Sequence, residues 1–377
     1  MNILIAPNAF KNSINAQAVA EAIAAGLQQS NLNCTCTLFP VGDGGDGTGS
    51  LIIKKLNGSV ISAPAHDALG RAITASFGLT DNGLTAIIEM ADASGVRLLK
   101  TDELNPMLTN TAGTGELIRQ ALDKGVTEII IGMGGSATVD GGMGILSALG
   151  ARFFNATGEL LKPVPAELIN LARIDVAGLD KRALNCAITV LCDVDNKLLG
   201  NDGAAAVFGP QKGATTDDVV KLDAMLANFA AITQQQTGID IASMKHSGTA
   251  GGAAAGLHAF LNAGLVSGAP HFLAVTGFNA ELQNADLVIT GEGSIDEQTL
   301  QGKAPAAVAA SAKEKNLPVI ALAGRVPLQH SKELNAYFDI VLAIGNGPDD
   351  LSSALINTRE NLVRTAHEIG NLLALRQ

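Results

Sequence analysis

Residues 289–305 read ITGEGSIDEQTLQGKAP, and this stretch decides how the rest of the chain is interpreted. The apolar run 286–290 predicts a buried strand, and Gly291 and Gly293 predict a tight turn after it. An Ala-rich run over 303–315 predicts a helix. Open α/β sheets use this strand, polar turn and helix to build binding sites at the carboxyl ends of their strands. Four polar side chains are available there: Glu292, Ser294, Asp296 and Glu297.

The same pattern recurs at both ends of the chain, with polar or Gly-rich loops after apolar runs. The predicted strands are 2–6, 35–40, 286–290, 318–323 and 339–344, and the predicted helices are 15–29, 48–56, 303–315 and 351–375. These elements predict one parallel sheet of flavodoxin-like order, 2-1-3-4-5, with right-handed crossovers. In that order the loops 8–13 and 291–296 lie beside the switch point, where ligands bind.

The middle of the chain is predicted to be an inserted domain. A length of 377 residues suggests about two domains. We expect residues 1–64 and 281–377 to form a discontinuous flavodoxin-like α/β domain, and residues 65–280 to form a second α/β domain. Its predicted strands are 72–78, 84–90, 127–131 and 187–192, and its predicted helices are 113–124 and 217–233.

Charge and composition exclude several classes of function. The net charge of −11 argues against binding to nucleic acid or to an anionic membrane. Residues 246–280 carry no Asp, Glu, Lys or Arg, but Gly and Pro interrupt them, so a buried part of a globular fold is expected there. The four cysteines show no zinc spacing and the N-terminus has no basic region, which favours a reduced protein of the cytoplasm.

Two Gly-rich loops offer candidate phosphate or metal sites. Residues 42–47, GDGGDG, match the dinucleotide pattern, but the carboxylates of Asp43 and Asp46 would repel a pyrophosphate unless a cation lies between them. Residues 132–144, GMGGSATVDGGMG, predict either a nest of backbone amides that binds phosphate or a packed turn.

Further candidates lie at the ends of other predicted strands. Asp193 and Asp195 would share one face if their strand continued through them, and could hold magnesium or act as a base. Lys11, Lys212 and Lys303 each lie beside a glycine or a strand-end loop, where a lysine could meet a phosphate. No Walker A motif is present, since LQGKA lacks the required first Gly and the final Ser or Thr.

Taken together, these loops resemble the bacterial glycerate kinase family of glycerate and glucarate breakdown. The matching segments are 41–48, 70–71, 88–91, 113–117, 132–142, 192–200, 209–213, 251–252 and 290–305. The resemblance implies ATP- and Mg²⁺-dependent phosphorylation of D-glycerate, giving 2-phosphoglycerate in most members. It also implies a flavodoxin-like domain and an inserted domain likened to restriction endonucleases.

Roles for individual residues follow as expectations. Asp296 is expected to accept the glycerate hydroxyl proton, although it could merely cap the turn before the next helix. Lys11 would offset phosphate charge, and Asp193, with Asp43 or Asp46, would hold magnesium. Arg71, Lys11 or Arg325 would bind the glycerate carboxylate. The remaining candidates are Asn8 and Ser294 for substrate, and Gly134, Gly135, Ser136, Lys212, Gly291 and Gly293 for the nucleotide phosphates.

Two other classes stay open at this point. An NAD-dependent oxidoreductase of a small hydroxy acid is favoured only by GDGGDG and by Gly132, Met133 and Gly134 with Ala137. The acid expected about 20 residues after GDGGDG is missing. A non-catalytic small-molecule sensor would not need so many clustered carboxylates. The small-molecule substrate is the expected partner, with no nucleic acid and no membrane, and a homodimer is left open.

Overall fold

The computed structural model describes residues 1–300, 302–329 and 331–375. The described residues form thirteen strands: β1 (Asn2–Ile5), β2 (Thr35–Leu38), β3 (Ser59–His66), β4 (Ala72–Thr80), β5 (Thr85–Glu89), β6 (Glu128–Gly132), β7 (Arg152–Phe154), β8 (Arg173–Asp175), β9 (Ala187–Cys192), β10 (Gly264–Ser267), β11 (Leu287–Ser294), β12 (Val319–Arg325) and β13 (Ile340–Ala343).

The same residues form fifteen α-helices: α1 (Ala16–Gln29), α2 (Thr48–Lys55), α3 (Ala91–Ser94), α4 (Ala112–Asp123), α5 (Met143–Ala148), α6 (Lys181–Asn185), α7 (Ala204–Phe208), α8 (Thr216–Thr237), α9 (Ala253–Leu261), α10 (Gly268–Val275), α11 (Phe278–Glu281), α12 (Ala304–Lys313), α13 (Lys332–Tyr337), α14 (Leu351–Ile356) and α15 (Thr358–Ala374). Short 3-10 helices occupy Asp81–Gly83, Val96–Leu98, Thr101–Glu103, Pro165–Asn170, Pro210–Lys212, Leu282–Asn284 and Glu297–Leu300.

The chain divides into two compact units, and the first unit comprises Met1–Asp43 and Ala269–Gln377. Its five strands lie in the order β13-β12-β11-β1-β2, and every neighbouring pair is parallel. Read from the other edge this is the order 2-1-3-4-5, so the predicted flavodoxin-like sheet is confirmed.

The first unit follows from apolar periodicity that the sequence shows directly. Val288 and Ile289 at the centre of β11 are fully buried, as expected for a strand covered on both faces of a parallel sheet. Helix α1 begins where the Asn15 side chain accepts a hydrogen bond from the amide of Ala18 at 2.9 Å. Its buried stripe packs in one core with apolar residues of α15. The predicted helix 351–375 is in fact two helices, since Asn357 ends α14 and precedes α15.

The predicted tight turn at Gly291 and Gly293 is wrong. Strand β11 continues through both glycines to Ser294 and stays paired with β12 as far as Arg325. At Gly291 a Cβ atom would lie 2.3 Å from the carbonyl oxygen of Leu322, so only glycine fits this close approach of two backbones. The glycine therefore serves sheet packing and not a change of chain direction.

The second unit, Gly44–Gly268, is built on a mixed six-stranded sheet of order β10-β9-β6-β5-β4-β3. Strands β10, β9, β6 and β5 are parallel, and β4 is antiparallel to both β3 and β5. Strands β7 and β8 form a separate antiparallel pair. The core is mainly aliphatic, with a few phenylalanines, and is formed by the sheet together with helices such as α4, α8 and α9.

The observed unit boundaries differ from the predicted ones at residues 64 and 280. Residues 44–64 belong to the second unit, because β3 pairs with β4 from Ser59 to His66. This strand lies at the sheet edge with mostly exposed residues in its first half, so it lacks the apolar pattern that predicts strands. The uncharged region contains the buried helix α9, and within the described residues no helix is long and apolar enough to cross a membrane.

Candidate active site

In the first unit, the loop after β1 runs beside the carboxyl end of β11. The amide of Asn8 donates to the carbonyl of Gly291 at 2.8 Å, which extends the strand contact beyond β1. A Cβ atom at Gly293 would lie 3.8 Å from the backbone nitrogen of Lys11. The parallel pairing of β1 with β11 thus places the exposed Lys11 at the strand end that carries the polar stretch.

Glu292 is the charged group that this arrangement buries. Its side chain is 7% exposed, and its Oε1 accepts a hydrogen bond from the hydroxyl of Thr299 at 2.7 Å. The pKa of Glu292 is raised to about 6, chiefly by burial and in smaller part by the nearby charge of Asp43. The charges of Lys303 and Lys11 and the Thr299 hydrogen bond act in the opposite direction. Two lysines and two carboxylates from four segments therefore converge here.

Asn8 and Asp43, both predicted site residues, are brought together in the same unit. The Asn8 amide nitrogen donates to Asp43 Oδ2 at 2.8 Å, and the Asn8 Oδ1 accepts from the amide of Ala9 at 2.7 Å. Asn8 is itself buried. The amide thus holds the Asp43 carboxylate in one orientation at the end of the segment that follows β2.

Asp296 has the contacts of a capping residue. Its Oδ1 accepts from the amide of Gln298 at 2.9 Å, at the first turn of the 3-10 helix Glu297–Leu300. Its own amide donates to the Thr299 hydroxyl at 3.2 Å. The proton-accepting role predicted for Asp296 stays a prediction, since these contacts leave carboxylate lone pairs in reserve.

In the second unit, the predicted pair Ser136 and Lys212 is brought together. The Lys212 Nζ donates to Ser136 Oγ at 2.8 Å and to the carbonyl oxygen of Thr138 at 2.7 Å. Lys212 is only 2% exposed. Burial lowers the pKa of Lys212 to about 7, against the charges of Asp140 and Asp193, which raise it. The ammonium group ties the loop after β6 to the 3-10 helix Pro210–Lys212.

The amides that would form the predicted phosphate nest already bind a carboxylate of the chain. Asp140 is completely buried and accepts from the amides of Gly142 at 3.0 Å and Gly144 at 3.1 Å. Its Oδ2 also accepts from the amide and the hydroxyl of Thr111 at 2.8 and 2.7 Å. The amide of Gly134 donates to the carbonyl of Gly44 at 3.1 Å. The loop is therefore held by its own chain, and the phosphate-binding role predicted for Gly134, Gly135 and Ser136 stays a prediction.

The remaining nest candidates have backbone partners too. The carbonyl of Gly135 accepts from the amide of Val96 at 2.9 Å. Gly135 has a φ of 71°, a left-handed conformation that glycine adopts without strain. This observation favours the packed turn that the sequence left open.

A buried carboxylate likewise binds the amino end of α2, the helix that follows GDGGDG. Glu89 Oε1 accepts from the amide of Gly49 at 2.9 Å at the amino end of α2. Burial raises the pKa of Glu89, with the Gly49 amide opposing it and the charges of Asp92 and Asp46 adding to it. A dinucleotide fold needs such amides for pyrophosphate, so the structure does not support GDGGDG as the motif of an oxidoreductase.

Asp46 is paired with an arginine. Arg97 NH1 lies 3.6 Å from Asp46 Oδ1, and the same guanidinium contacts Asp92. Arg71, predicted to bind the substrate carboxylate, donates from Nε to Asp67 Oδ2 at 2.5 Å and from NH1 to Glu103 Oε1 at 2.7 Å. Two acidic side chains of the protein thus already bind the guanidinium that was expected to bind the glycerate carboxylate.

Asp193 and Asp195 do not share a strand face, because β9 ends at Cys192. In residues 1–300, 302–329 and 331–375, no group of three or more His, Cys, Asp or Glu side chains is arranged to hold a metal ion. The magnesium-binding roles predicted for Asp43, Asp46 and Asp193 stay predictions. Asp193 lies close enough to Lys212 for its charge to raise the lysine pKa.

Sequence reasoning named Glu292 as a polar residue but assigned it no role. The signal that identifies it is the two-residue period of a strand. Once β11 is known to continue to Ser294, Glu292 and Ser294 lie on one face and Gly291 and Gly293 on the other. Glu89 was missed for a related reason, since nothing local shows that the last residue of β5 reaches the amino end of α2.

Comparisons with known proteins give the same family along nearly the whole chain. The family model described as "Glycerate kinase family" matches residues 3–374. The chain is 42% identical to "Glycerate kinase" of Bacillus subtilis strain 168, covering 100% of this chain and 98% of that protein. It is 40% identical to "Glycerate 2-kinase" of Escherichia coli K12, again covering 100% and 98%.

A solved structure shares the fold. The chain superposes with a TM-score of 0.83 and 41% identity on a crystal structure assigned to glycerate kinase 2 of Salmonella typhimurium LT2, covering 100% of this chain and 99% of that one. With the family match extending over both units, the chain belongs to the glycerate kinase family.

Proposed function

We propose that this protein transfers the γ-phosphoryl group of ATP to D-glycerate and releases 2-phosphoglycerate. The observation that carries the proposal is the match to the glycerate kinase family over residues 3–374, together with relatives of about 40% identity named glycerate kinase and glycerate 2-kinase. The charged groups at the end of β11 are suited to this chemistry, because phosphoryl transfer depends on positioning and charge neutralisation.

In this proposal, residues of the first unit neutralise charge and orient the acceptor. Lys11 and Lys303 supply positive charge where Glu292 and Asp43 supply negative charge, and anionic phosphoryl oxygens would be stabilised beside the lysines. The buried Asn8 holds Asp43 in place through its 2.8 Å hydrogen bond. Ser294 and Arg325, paired in register on β11 and β12, are candidates for the hydroxyl and carboxylate of the substrate.

Magnesium is part of the proposal. Kinases hold Mg²⁺ with one or two carboxylates together with substrate phosphates, so a cluster of three protein ligands is not required. The oxygen donors Asp43, Asp46 and Asp193 have the correct chemistry for this ion. Asp43 fits best, since the Asn8 amide holds its carboxylate in place, whereas Asp46 is paired with Arg97. When bound, the ion would neutralise the phosphates.

The test is ADP release that depends on D-glycerate, ATP and Mg²⁺ together. Enolase added alone distinguishes the products, because it dehydrates 2-phosphoglycerate directly and 3-phosphoglycerate only after isomerisation. ADP formation without enolase turnover would change the proposed position of phosphorylation. NAD reduction with D-glycerate and no ADP formation would replace the proposal with the oxidoreductase.

Two features of the protein's setting complete the proposal. A location in the cytoplasm is expected because the reaction consumes ATP. The substrates are the only partners that it requires. A homodimer is compatible with it, and the mass in solution measured by light scattering decides between one and two chains.

A further inference from the structure

We propose that Glu292 is the group that accepts the proton of the glycerate hydroxyl during phosphoryl transfer. This assignment deepens the proposed kinase function and rests on it. It differs from the role that the sequence suggested for Asp296, and it comes from the position of Glu292 on the strand and from the charges that surround it.

The position of Glu292 is fixed more firmly than that of a loop carboxylate. Strand β11 is paired on one side with β1 and on the other with β12, where Glu292 is in register with Ala323. The Thr299 hydroxyl donates to Oε1 at 2.7 Å and orients the side chain. A carboxylate has about four lone-pair sites, so this hydrogen bond leaves Glu292 able to accept a substrate hydroxyl.

The surroundings of Glu292 explain why a carboxylate is buried there. Lys303 precedes α12, Lys11 follows β1, and Asp43 lies after β2, and the charges of all three act on Glu292. The lysines favour the ionised carboxylate, while burial and Asp43 favour the protonated one. A pKa of about 6 leaves the group ionised at neutral pH and basic enough to take a proton.

The chemical step balances with ATP as the phosphoryl donor. The glycerate hydroxyl oxygen forms a bond to the γ-phosphorus, and the bond from that phosphorus to the bridging oxygen of ADP breaks, with its electron pair leaving on ADP. The hydroxyl proton passes to a Glu292 carboxylate oxygen. Glu292 later returns this proton to solvent, so no further reactant is needed.

The chain offers a matched control in Glu314, an exposed residue at the end of α12. Both Glu292→Gln and Glu314→Gln replace one carboxylate by an amide of almost the same shape. Glu314 has no part in the candidate site, so the two variants separate proton acceptance from the general effect of removing one negative charge.

We expect Glu292→Gln to lower kcat by about a hundredfold or more, with smaller changes in the KM values for D-glycerate and ATP. Its melting temperature should be unchanged or higher above about pH 6. The sign follows from the raised pKa of Glu292, because stability from its protonated form is lost as the pH rises through about 6. Glu314→Gln should keep both kcat and melting temperature.

A measurement on the wild-type protein checks the assignment without any variant. The value of kcat/KM should fall about tenfold per pH unit below a pKa near 6, because protonated Glu292 cannot accept the proton. A flat profile through this range would overturn the proposal. So would a Glu292→Gln variant that folds and keeps its kcat, or a collapse of kcat in Asp296→Asn alone.

Failure of the inference is distinguishable from failure of the function. If the wild-type protein releases ADP with D-glycerate and Glu292→Gln does so equally well, only the role of Glu292 is wrong. If the wild-type protein releases no ADP with D-glycerate, the kinase function is wrong and the proton acceptor with it.

Discussion

The two units each place charged groups beside a Gly-rich segment at a strand end, but they treat the charges differently. In the second unit, Asp140 is completely buried and accepts four hydrogen bonds from the chain, and the ammonium of Lys212 is held by Ser136 and Thr138. In the first unit, Glu292 is buried while Lys11 is exposed beside the same strand end.

The difference favours a structural role for the Gly-rich loop after β6 and a chemical role for the end of β11. Charges that satisfy one another inside the protein fix a loop, since leaving any of them unpaired is costly. Charges that converge at a strand end with exposed members can instead be offered to a ligand. The comparison predicts that substitutions of the buried charges in the second unit lower stability, whereas substitution of Glu292 in the first unit lowers turnover.

The largest expected effect on stability is that of Asp140→Ala. It leaves the amides of Gly142 and Gly144 and both donors of Thr111 without their acceptor. We expect the free energy of unfolding to fall by about 3 kcal/mol or more, measured by urea denaturation. The exposed Asp102→Ala is the control, and it should change the midpoint little. If the two variants unfolded at the same urea concentration, the structural role of Asp140 in the second unit would be wrong.

A smaller effect is expected for Gly291→Ala in the first unit. The new Cβ would approach the Leu322 carbonyl oxygen to 2.3 Å, which forces β11 and β12 apart. The expected loss is about 1–3 kcal/mol, read from thermal unfolding. Gly347→Ala provides the control, because nothing lies within 4 Å of a Cβ at that glycine. If Gly291→Ala were as stable as the control but bound ATP more weakly, the result would support the predicted phosphate contact at Gly291.

The last expected effect is on how stability depends on pH, and it involves Lys212. Its pKa is lowered from 10.5 to about 7 in the folded protein. Between those pH values the unfolded chain binds more protons, so the unfolding free energy gains a rising contribution as the pH increases. Lys212→Met should make that rise less steep, whereas the exposed Lys124→Met should not. An unchanged slope in Lys212→Met would show that the lysine is not buried in solution.

The sequence predicted much of the fold because apolar periodicity is a local property. Strands β1, β2, β12 and β13 and helices α1 and α12 lie close to their predicted bounds, and the strand order followed from the right-handed crossover rule. Strand β3 was missed, since an exposed edge strand has no continuous apolar run. The unit boundary was misplaced for the same reason.

The sequence predicted several residues of the candidate site, but it did not predict which of them contact one another. Ser136 and Lys212 were both named from the sequence, but only the structure shows that they contact each other and that the lysine is buried. Arg71 was named for substrate, and two carboxylates hold its guanidinium. Such pairings join residues up to 76 positions apart and leave no local signal.

By itself, the sequence determined the class of fold and the family, because strand periodicity, Gly-rich loops and the order of motifs are written along the chain. Only the tertiary structure decided what each glycine and charge does. Gly291 turned out to allow two backbones to approach, Asp140 to hold the amides of its own loop, and Glu292 to lie among two lysines and Asp43. The physical reason is that burial and charge pairing depend on segments brought together in space, which no local pattern specifies.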